Sequence, residues 1–141
     1  MIKIDNLISA LKTLKIGFEL FQNNRNPDIK DMLADSCVKH FEYTLETSIK
    51  LMKKFLKQVY FIDEKDLTVN NVFRLMQGYN FIISWENWRN YYQKRNDTSH
   101  EYNIQKSRNL LKIIPDFIKD TEILVENLNV ALTQNEQNQR N

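Results

Sequence analysis

Residues 26–59 read NPDIKDMLADSCVKHFEYTLETSIKLMKKFLKQV, and this stretch decides the fold class. Asn26, Pro27 and Asp28 form a helix start: Asn caps free backbone N–H groups, Pro suits the first helical position, and Asp favours the positive end of the helix dipole. Apolar residues then recur at steps of three and four, at Ala34, Val38, Phe41, Leu45, Ile49, Met52, Leu56 and Val59. The pattern predicts one helix of about 33 residues and roughly 50 Å, with apolar surface for other helices and for a second subunit.

Helical periodicity continues on both sides of this stretch. Residues 4–21 carry one apolar stripe, and residues 69–78 predict a short helix that ends at Gly78. Ser84 is placed to cap a fourth helix. Apolar positions then repeat every seven residues at Ile104, Leu111, Ile118, Val125 and Leu132. The repeat runs through Pro115, which predicts one long final helix kinked at this proline.

Composition supports a single helical domain. The 141 residues include two glycines and two prolines, where average usage would give roughly ten and seven, so hairpin turns and glycine-rich loops have little support. We predict an all-α, up-and-down antiparallel bundle of four to five helices over residues 1–132, followed by a polar flexible tail at residues 133–141. The chain has no charge-free segment long enough for a membrane span, and we expect a cytoplasmic protein without membrane contact.

Several chemistries are excluded by the residues available. With two histidines and one cysteine, the chain cannot build Cys/His zinc spacing, so we expect no metal and no cofactor. Glycine-rich nucleotide loops and a serine-hydrolase elbow are absent from the sequence. Cys37 lies within an apolar helical pattern and is predicted to be a core residue. A net charge of +2 is too small for general coating of nucleic acid, so an anionic partner requires a local site.

The strongest candidate site is WRNYYQKRNDTSHEY, residues 88–102. On a continuous helix Arg95 and His100 would point about 140° apart. The run Asn96 to Ser99 favours caps and turns, so we predict a helix break there, with Thr98 as the N-cap of the final helix. His100 would then lie in a first helical turn, where the positive dipole end favours phosphate and lowers the pKa of the imidazole.

An arginine and a histidine placed in this way suffice for metal-independent RNA cleavage. Arginine holds a phosphoryl oxygen, and histidine exchanges a proton near neutral pH. A helix-capping turn with a surface His and Arg is the plainer interpretation of the same residues. Trp85, Trp88 and Tyr92 fit either base stacking or a core face, and the core is favoured. Lys50, Lys54 and Lys57 fit a phosphate-binding face or, more simply, a solvated face aided by a Glu46–Lys50 pair.

The motif also resembles a known family. Arg95, the polar Asn96, His100 and Tyr102 match the Arg-x4-His-x-Tyr signature of HEPN proteins that accompany minimal nucleotidyltransferases. The string HFEYTLETSIKLMKKFL, residues 40–56, is similar to the second helix of the same family, the nucleotidyltransferase substrate-binding proteins. The resemblance implies a bundle like the C-terminal domain of kanamycin nucleotidyltransferase, in most cases a homodimer.

The resemblance further implies a toxin–antitoxin pair in which the HEPN subunit is a ribonuclease and a minimal nucleotidyltransferase restrains it. Carried over by position, Arg95 and His100 are catalytic, Asn96 supports them, and Tyr102 is the residue that the partner modifies with AMP. Some HEPN proteins serve only as binding or scaffolding subunits, so a non-catalytic partner of a nucleotidyltransferase is the alternative. We expect a homodimer whose two motifs face a shared cleft that receives RNA.

Overall fold

The computed structural model describes residues 2–100 and 104–140, with side chains described for residues 2–97 and 105–135. These residues form one 3-10 turn, Glu64–Asp66, and six α-helices: α1 (Asp5–Asn23), α2 (Pro27–Val59), α3 (Val69–Gly78), α4 (Trp85–His100), α5 (Ile104–Leu111) and α6 (Ile114–Arg140). No strand occurs among them. The predicted all-α class is confirmed, with six helices rather than four or five.

The central helix α2 begins as its sequence predicts. The side chain of Asn26 accepts hydrogen bonds from the backbone N–H groups of Asp28 and Ile29, at 3.0 and 3.4 Å. Pro27 occupies the first position, which needs no donor. At 33 residues, α2 is the longest helix described, and it contacts α1, α3, α4 and α5. Helix α2 is therefore the central helix of the bundle, and these four helices pack against it.

The ends of α2 and α3 place two residues in the left-handed region. After α2, Phe61 has φ 57°, and the N–H of Ile62 bonds back to the carbonyl of Leu56 at 3.2 Å. The helix α3 ends at Gly78 as predicted, but the positive φ falls two residues later, on Asn80 with φ 66°. Asn tolerates this conformation better than a bulky side chain such as Phe61, so strain is concentrated at the end of α2.

The expectation of one final helix kinked at Pro115 is wrong. The chain leaves the helical path after Leu111, and the N–H groups of Lys112 and Ile113 bond only three residues back, at 3.2 and 3.1 Å. Helix α6 then starts at Ile114 and has Pro115 in its first turn. A proline there removes no hydrogen bond, whereas inside a continuous helix it would, and this explains two helices in place of one.

The buried face of α6 also differs from the seven-residue repeat. Its fully buried positions are Ile114, Phe117, Thr121, Leu124 and Leu128, while the repeating Ile118, Val125 and Leu132 lie half-buried beside them. The backbone of α6 continues to Arg140, over most of the range expected as a tail. The domain boundary at residue 132 stays a prediction.

An aromatic cluster fixes the rotation of α4. The ring of Phe117 lies 4.7 Å from Phe41, 5.7 Å from Trp88 and 5.2 Å from Tyr91, measured between centroids. The Trp88 ring is fully buried, and the Tyr91 hydroxyl donates a hydrogen bond to Asp120 on α6. These contacts turn the Trp88 side of α4 into the bundle. They thereby determine which residues of α4 face α2 and which face outward.

Helices α4 and α5 run antiparallel to α2. Arg95 on α4 pairs with Glu46, whereas Arg108 on α5 pairs with Asp31 and Asp35. The later residue of the α4–α5 segment thus contacts the earlier part of α2, as expected for chains that run in opposite directions. This order agrees with the predicted up-and-down arrangement.

No helix within the described residues is long and apolar enough to cross a membrane.

Candidate functional site

Arg95 is held in a half-buried polar contact between α4 and α2. Its Nη2 donates to Oε1 of Glu46, and its Nη1 donates to Oδ1 of Asn96 at 3.2 Å. The side chains of Arg95 and Glu46 are 28% and 43% exposed, so water reaches both groups without surrounding them. Glu46 and Asn96 thus hold the guanidinium at the edge of the core, where the side chain of Arg95 stays partly exposed to solvent.

The local sequence explains why Arg95 faces α2. Arg95 follows Trp88 by seven positions and Tyr91 by four, so the three residues share one face of α4. Trp88 and Tyr91 are buried, and this packing carries Arg95 toward α2 at the point where the core ends. The arginine therefore owes its orientation to the aromatic residues that precede it on the same helix.

Glu46 is the site residue that sequence reasoning missed. The sequence suggested that it pairs with Lys50 on the same helix, but its carboxylate binds Arg95, which lies 49 positions later in the chain. No spacing rule connects two residues on different helices at that separation. Its place within residues 40–56, the string similar to the family's second helix, was the nearest signal available.

The predicted helix break at residues 96–99 is wrong. The backbone of α4 remains helical through Asn96, Asp97, Thr98 and Ser99 and ends at His100. The side-chain oxygen of Asn96 accepts a hydrogen bond from Arg95. This interaction competes with the hydrogen bonds to the local backbone on which the turn preference of Asn depends. A tertiary contact outweighs the turn preference here.

The described part of α4 extends from Trp85 to His100, so His100 does not lie in a first helical turn. The expectation of a lowered imidazole pKa rested on a helix N-terminus at Thr98, and that premise is wrong. Positions five apart on a helix are rotated by about 140° from each other, so positions 95 and 100 do not share a face of α4. The side chain of His100 and the whole of Tyr102 lie outside the described residues.

A second ion pair anchors the chain beyond the motif. On α5, Arg108 contacts Asp31 at 3.2 Å and Asp35 at 3.6 Å, both on α2. Eleven residues separate Asp35 from Glu46, which is about 16 Å along the helix. The first residue of the motif and the helix that follows the motif are therefore both attached to α2, one through Arg95 and the other through Arg108.

The structure separates the aromatic residues of α4 into two groups. Trp88 is fully buried and belongs to the core, as the plainer interpretation held. Trp85 and Tyr92 are only half-buried. The guanidinium carbons of Arg74 and Arg89 lie 4.4 and 5.1 Å from the centroid of the Trp85 ring. A partly exposed cationic and aromatic cluster thus exists at the start of α4.

Other candidates from the sequence have structural explanations. Lys57 pairs with Glu64, and this hydrogen bond lowers the pKa of the Glu64 carboxyl. Cys37 is buried as predicted, and its burial raises the pKa of the thiol to about 11, which leaves it unreactive near neutral pH. Among described residues, no group of three or more His, Cys, Asp or Glu side chains is arranged to hold a metal ion.

A family model described as nucleotidyltransferase substrate binding protein like matches residues 2–130. A curated relative from Haemophilus influenzae, named probable ribonuclease HepT, is 29% identical over 103 residues. The alignment covers 71% of this chain and 70% of the relative.

Solved structures of other proteins share the fold. A protein from Haemophilus influenzae, reported to reveal the fold of a substrate binding domain of a nucleotidyltransferase, has a TM-score of 0.81 at 24% identity and covers 90% of this chain and 99% of its own. A crystal structure of a Thermus thermophilus protein has a TM-score of 0.73 at 22% identity, covering 86% and 98%. At these identities the two structures establish the fold alone.

Proposed function

The chain belongs to the family of nucleotidyltransferase substrate-binding-like proteins, a family of HEPN type, and we propose that it is a metal-independent endoribonuclease. In this proposal it is the toxin of a toxin–antitoxin pair whose other subunit is a minimal nucleotidyltransferase. The observation that carries the proposal is the arrangement of Arg95, half-buried between Glu46 and Asn96 at an accessible edge of the core. The name of the Haemophilus influenzae relative, a probable ribonuclease, supports the same activity.

The proposed reaction is attack of a ribose 2′-hydroxyl on the adjacent phosphorus. The proton of the 2′-hydroxyl goes to a general base, the P–O5′ bond breaks, and the leaving O5′ takes a proton, which leaves a 2′,3′-cyclic phosphate. His100 exchanges the protons, Arg95 stabilises the charge that develops on the phosphoryl oxygens, and Asn96 orients Arg95. Each role uses a group of this chain and none needs a metal.

The decisive test is cleavage by single-residue variants. We expect His100→Ala and Arg95→Ala each to abolish cleavage of a labelled single-stranded RNA, while activity of the wild type persists in EDTA. The products should carry a cyclic phosphate or the 3′-phosphate derived from it. Circular dichroism should show an unchanged helical signal for both variants. Activity that depends strictly on added magnesium would refute the mechanism.

We further propose that the active form is a homodimer in which the two motifs face a shared cleft. Because positions 95 and 100 are rotated by about 140° from each other on α4, a second copy offers a direct way to complete the site. The test is to mix Arg95→Ala and His100→Ala subunits. A site shared between chains regains activity in the mixed dimer, since one Arg95 and one His100 remain across the cleft, whereas a site within one chain stays inactive.

Regulation is proposed to act on Tyr102, which follows His100 by two positions. Attachment of AMP would place a bulky anion beside Arg95 and compete with the RNA phosphate. Co-expression of wild-type and Tyr102→Phe protein with the minimal nucleotidyltransferase proposed as its partner tests this proposal through intact mass and toxicity. A Phe variant that is modified and silenced as well as the wild type would contradict it.

A second candidate function is a non-catalytic partner that presents substrate to a nucleotidyltransferase. The description of the family model, a substrate binding protein, favours this reading. The two candidates differ in one measurement: a partner subunit raises the activity of the nucleotidyltransferase and cleaves no RNA, and Arg95→Ala leaves that stimulation unchanged.

A further inference from the structure

The start of α4 carries a cationic and aromatic cluster that the proposed chemistry does not use. Trp85 is half-buried, and the guanidinium groups of Arg74 on α3 and Arg89 on α4 both lie over its ring, at 4.4 and 5.1 Å from the centroid. Both arginines are exposed. We call Arg74, Trp85 and Arg89 the Trp85 cluster.

The Trp85 cluster is built by contacts between α3 and α4. The side-chain oxygen of Gln77 accepts a hydrogen bond of 2.8 Å from the backbone N–H of Trp85, which joins the end of α3 to the start of α4. Ser84 caps α4 by accepting from the N–H of Asn87 at 3.3 Å. Phe73 packs against Trp88 in the core, so the adjacent Arg74 points outward. Two like charges are thereby held on one aromatic surface.

Neither arginine of the cluster is neutralised by an acid among the side chains that the structure describes. The ion pairs found there involve Lys15, Lys57, Arg95 and Arg108. The nearest acid in sequence, Glu86, follows Trp85 on α4 and is turned about 100° from it. Two exposed guanidinium groups without a carboxylate partner are suited to bind phosphate groups, and the exposed part of the indole is suited to stack on a base.

The cluster is aligned with the Arg95 site. Positions 85, 89, 92 and 96 lie on one stripe of α4, because eleven residues correspond to three helical turns within about 20°. Trp85, Tyr92 and Asn96 are half-buried along this stripe, and Arg89 is exposed. Asn96 accepts a hydrogen bond from Arg95, so the stripe ends at the proposed catalytic arginine. The distance from Trp85 to Asn96 along the axis is about 16 Å, which a few nucleotides of single-stranded RNA can span.

We propose that the Trp85 cluster is a remote subsite for single-stranded RNA, which binds phosphates and one base upstream or downstream of the scissile bond. This inference rests on the proposed ribonuclease function and adds where the rest of the substrate binds. RNA is favoured over an acidic protein surface because the cluster combines a partly exposed ring with paired cations and lies in line with Arg95. The cluster supplies affinity and register, and the chemistry stays at Arg95 and His100.

The test measures binding of a fluorescein-labelled, fully 2′-O-methylated oligoribonucleotide of about 12 nucleotides by fluorescence anisotropy. This probe lacks the 2′-hydroxyl nucleophile, so the wild-type protein can be used without cleavage. The Arg74→Gln/Arg89→Gln double variant removes two charges, and Trp85→Leu removes the ring but keeps apolar volume. Arg25→Gln is the matched control, because Arg25 is exposed and lies just before the start of α2. The segment that leads into α4 contacts the other end of α2, where the ring of Phe81 packs against Phe55. Phe55 lies about 40 Å along α2 from its start.

We expect the double arginine variant to bind the probe at least about tenfold more weakly at low salt. Its plot of log K against log salt concentration should lose about 1.4 units of slope, since each phosphate contact with a single strand contributes about 0.7. Trp85→Leu should lower the affinity by about five- to fiftyfold with little change in slope, because stacking carries no charge. Arg25→Gln should stay within about twofold of the wild type.

Cleavage kinetics separate the subsite from the catalytic site. The double variant should raise KM for a long RNA and leave kcat nearly unchanged, and a dinucleotide, too short to reach the cluster, should be cleaved equally by variant and wild type. Each variant should retain the helical signal and melting temperature of the wild type within about 3 °C.

The outcomes distinguish this inference from the proposed function. If the wild type cleaves RNA but the double variant binds the probe as well as Arg25→Gln does, the subsite is refuted and the ribonuclease proposal stands. If the double variant binds RNA normally and instead loses its own dimer or its nucleotidyltransferase partner in light scattering, the cluster is a protein-binding surface and the RNA subsite is refuted. If the wild type neither binds nor cleaves RNA, the proposed function fails, and the subsite fails with it.

Discussion

Removal of the Glu46 carboxylate tests whether the pair with Arg95 organises the candidate site. A double-mutant cycle uses Glu46→Ala, Arg95→Ala and the combined variant, with unfolding in urea as the readout. The two residues lie on α2 and α4, and their side chains are 43% and 28% exposed. We expect a positive coupling energy, because the carboxylate and guanidinium are in direct contact at the edge of the core.

The size of the coupling follows from the exposure of the two groups. Two unit charges about 4 Å apart attract by about 4 kcal/mol at the effective dielectric of a protein surface. Partial exposure, desolvation and loss of side-chain freedom cancel most of this attraction, and exposed pairs contribute about 0.2–1 kcal/mol. We therefore expect a coupling of about 1 kcal/mol for Glu46 and Arg95, equivalent to a fall in Tm of about 3 °C for a domain of this size.

Activity measurements then distinguish orientation from simple stability. If Glu46 orients Arg95, Glu46→Ala lowers kcat for RNA cleavage by about tenfold or more, and KM changes little. Glu46→Gln retains an oxygen acceptor for Nη2, so it should recover most of kcat although it lacks the charge. The exposed Glu19 on α1 is the control, because Glu19→Ala removes an acid remote from the contact.

Two results would refute this reasoning. A coupling energy below about 0.3 kcal/mol would mean that the contact contributes no more than an unstructured surface pair. A Glu46→Ala enzyme with unchanged kcat and a lower KM would mean that the carboxylate competes with RNA phosphate and has no orienting role. The urea and kinetic measurements are independent, so each result can be obtained without the other.

Further predictions concern strain, ionisation and thiol reactivity. Phe61→Gly should raise the stability by about 0.5–1 kcal/mol, because Phe61 is 86% exposed with φ 57°, and Asn80→Gly should gain less, since Asn tolerates this conformation; thermal unfolding measures both. Burial and the hydrogen bond to Asp120 raise the pKa of Tyr91 above its ordinary value of 10.0. Tyr91 therefore stabilises the folded state fully below pH 10, and this stabilisation is lost at higher pH, where the tyrosine ionises in the unfolded state. Tyr91→Phe should therefore show a shallower fall of Tm between pH 9 and 11 than the wild type. Cys37 should react with a thiol reagent at pH 8 only after unfolding, because burial raises its pKa to about 11.

Local signals in the sequence were sufficient for most of the helices. The start of α2 was predictable because Asn26, Pro27 and Asp28 act within one helical turn, and the structure has the predicted cap. The start of α4 at Ser84 was predictable for the same reason. Apolar periodicity gave the long helices, since each buries one continuous stripe.

Features that depend on contacts between helices were not predictable in this way. The run Asn96 to Ser99 has turn preference, yet α4 continues through it, with Asn96 bonded to Arg95 and Arg95 bonded to Glu46. The repeat through Pro115 suggested one helix, because periodicity shows which residues are apolar but not whether the backbone between them is continuous. The candidate motif itself was visible in sequence, whereas its partner Glu46 depended on how α2 and α4 pack.

In the proposed function, Arg95 serves the chemistry, whereas Arg74 and Arg89 serve binding. Arg95 is already paired with Glu46 in the free protein, so it gains little from a ground-state phosphate and more from the additional charge of the transition state. Arg74 and Arg89 have no acid partner among the described side chains, so they are suited to contribute affinity for the ground state. A chain with a net charge of only +2 cannot attract RNA over its whole surface. In the proposed mechanism, RNA is therefore retained by the Trp85 cluster, and the binding energy gained there holds the scissile phosphate against an arginine whose own affinity for it is low.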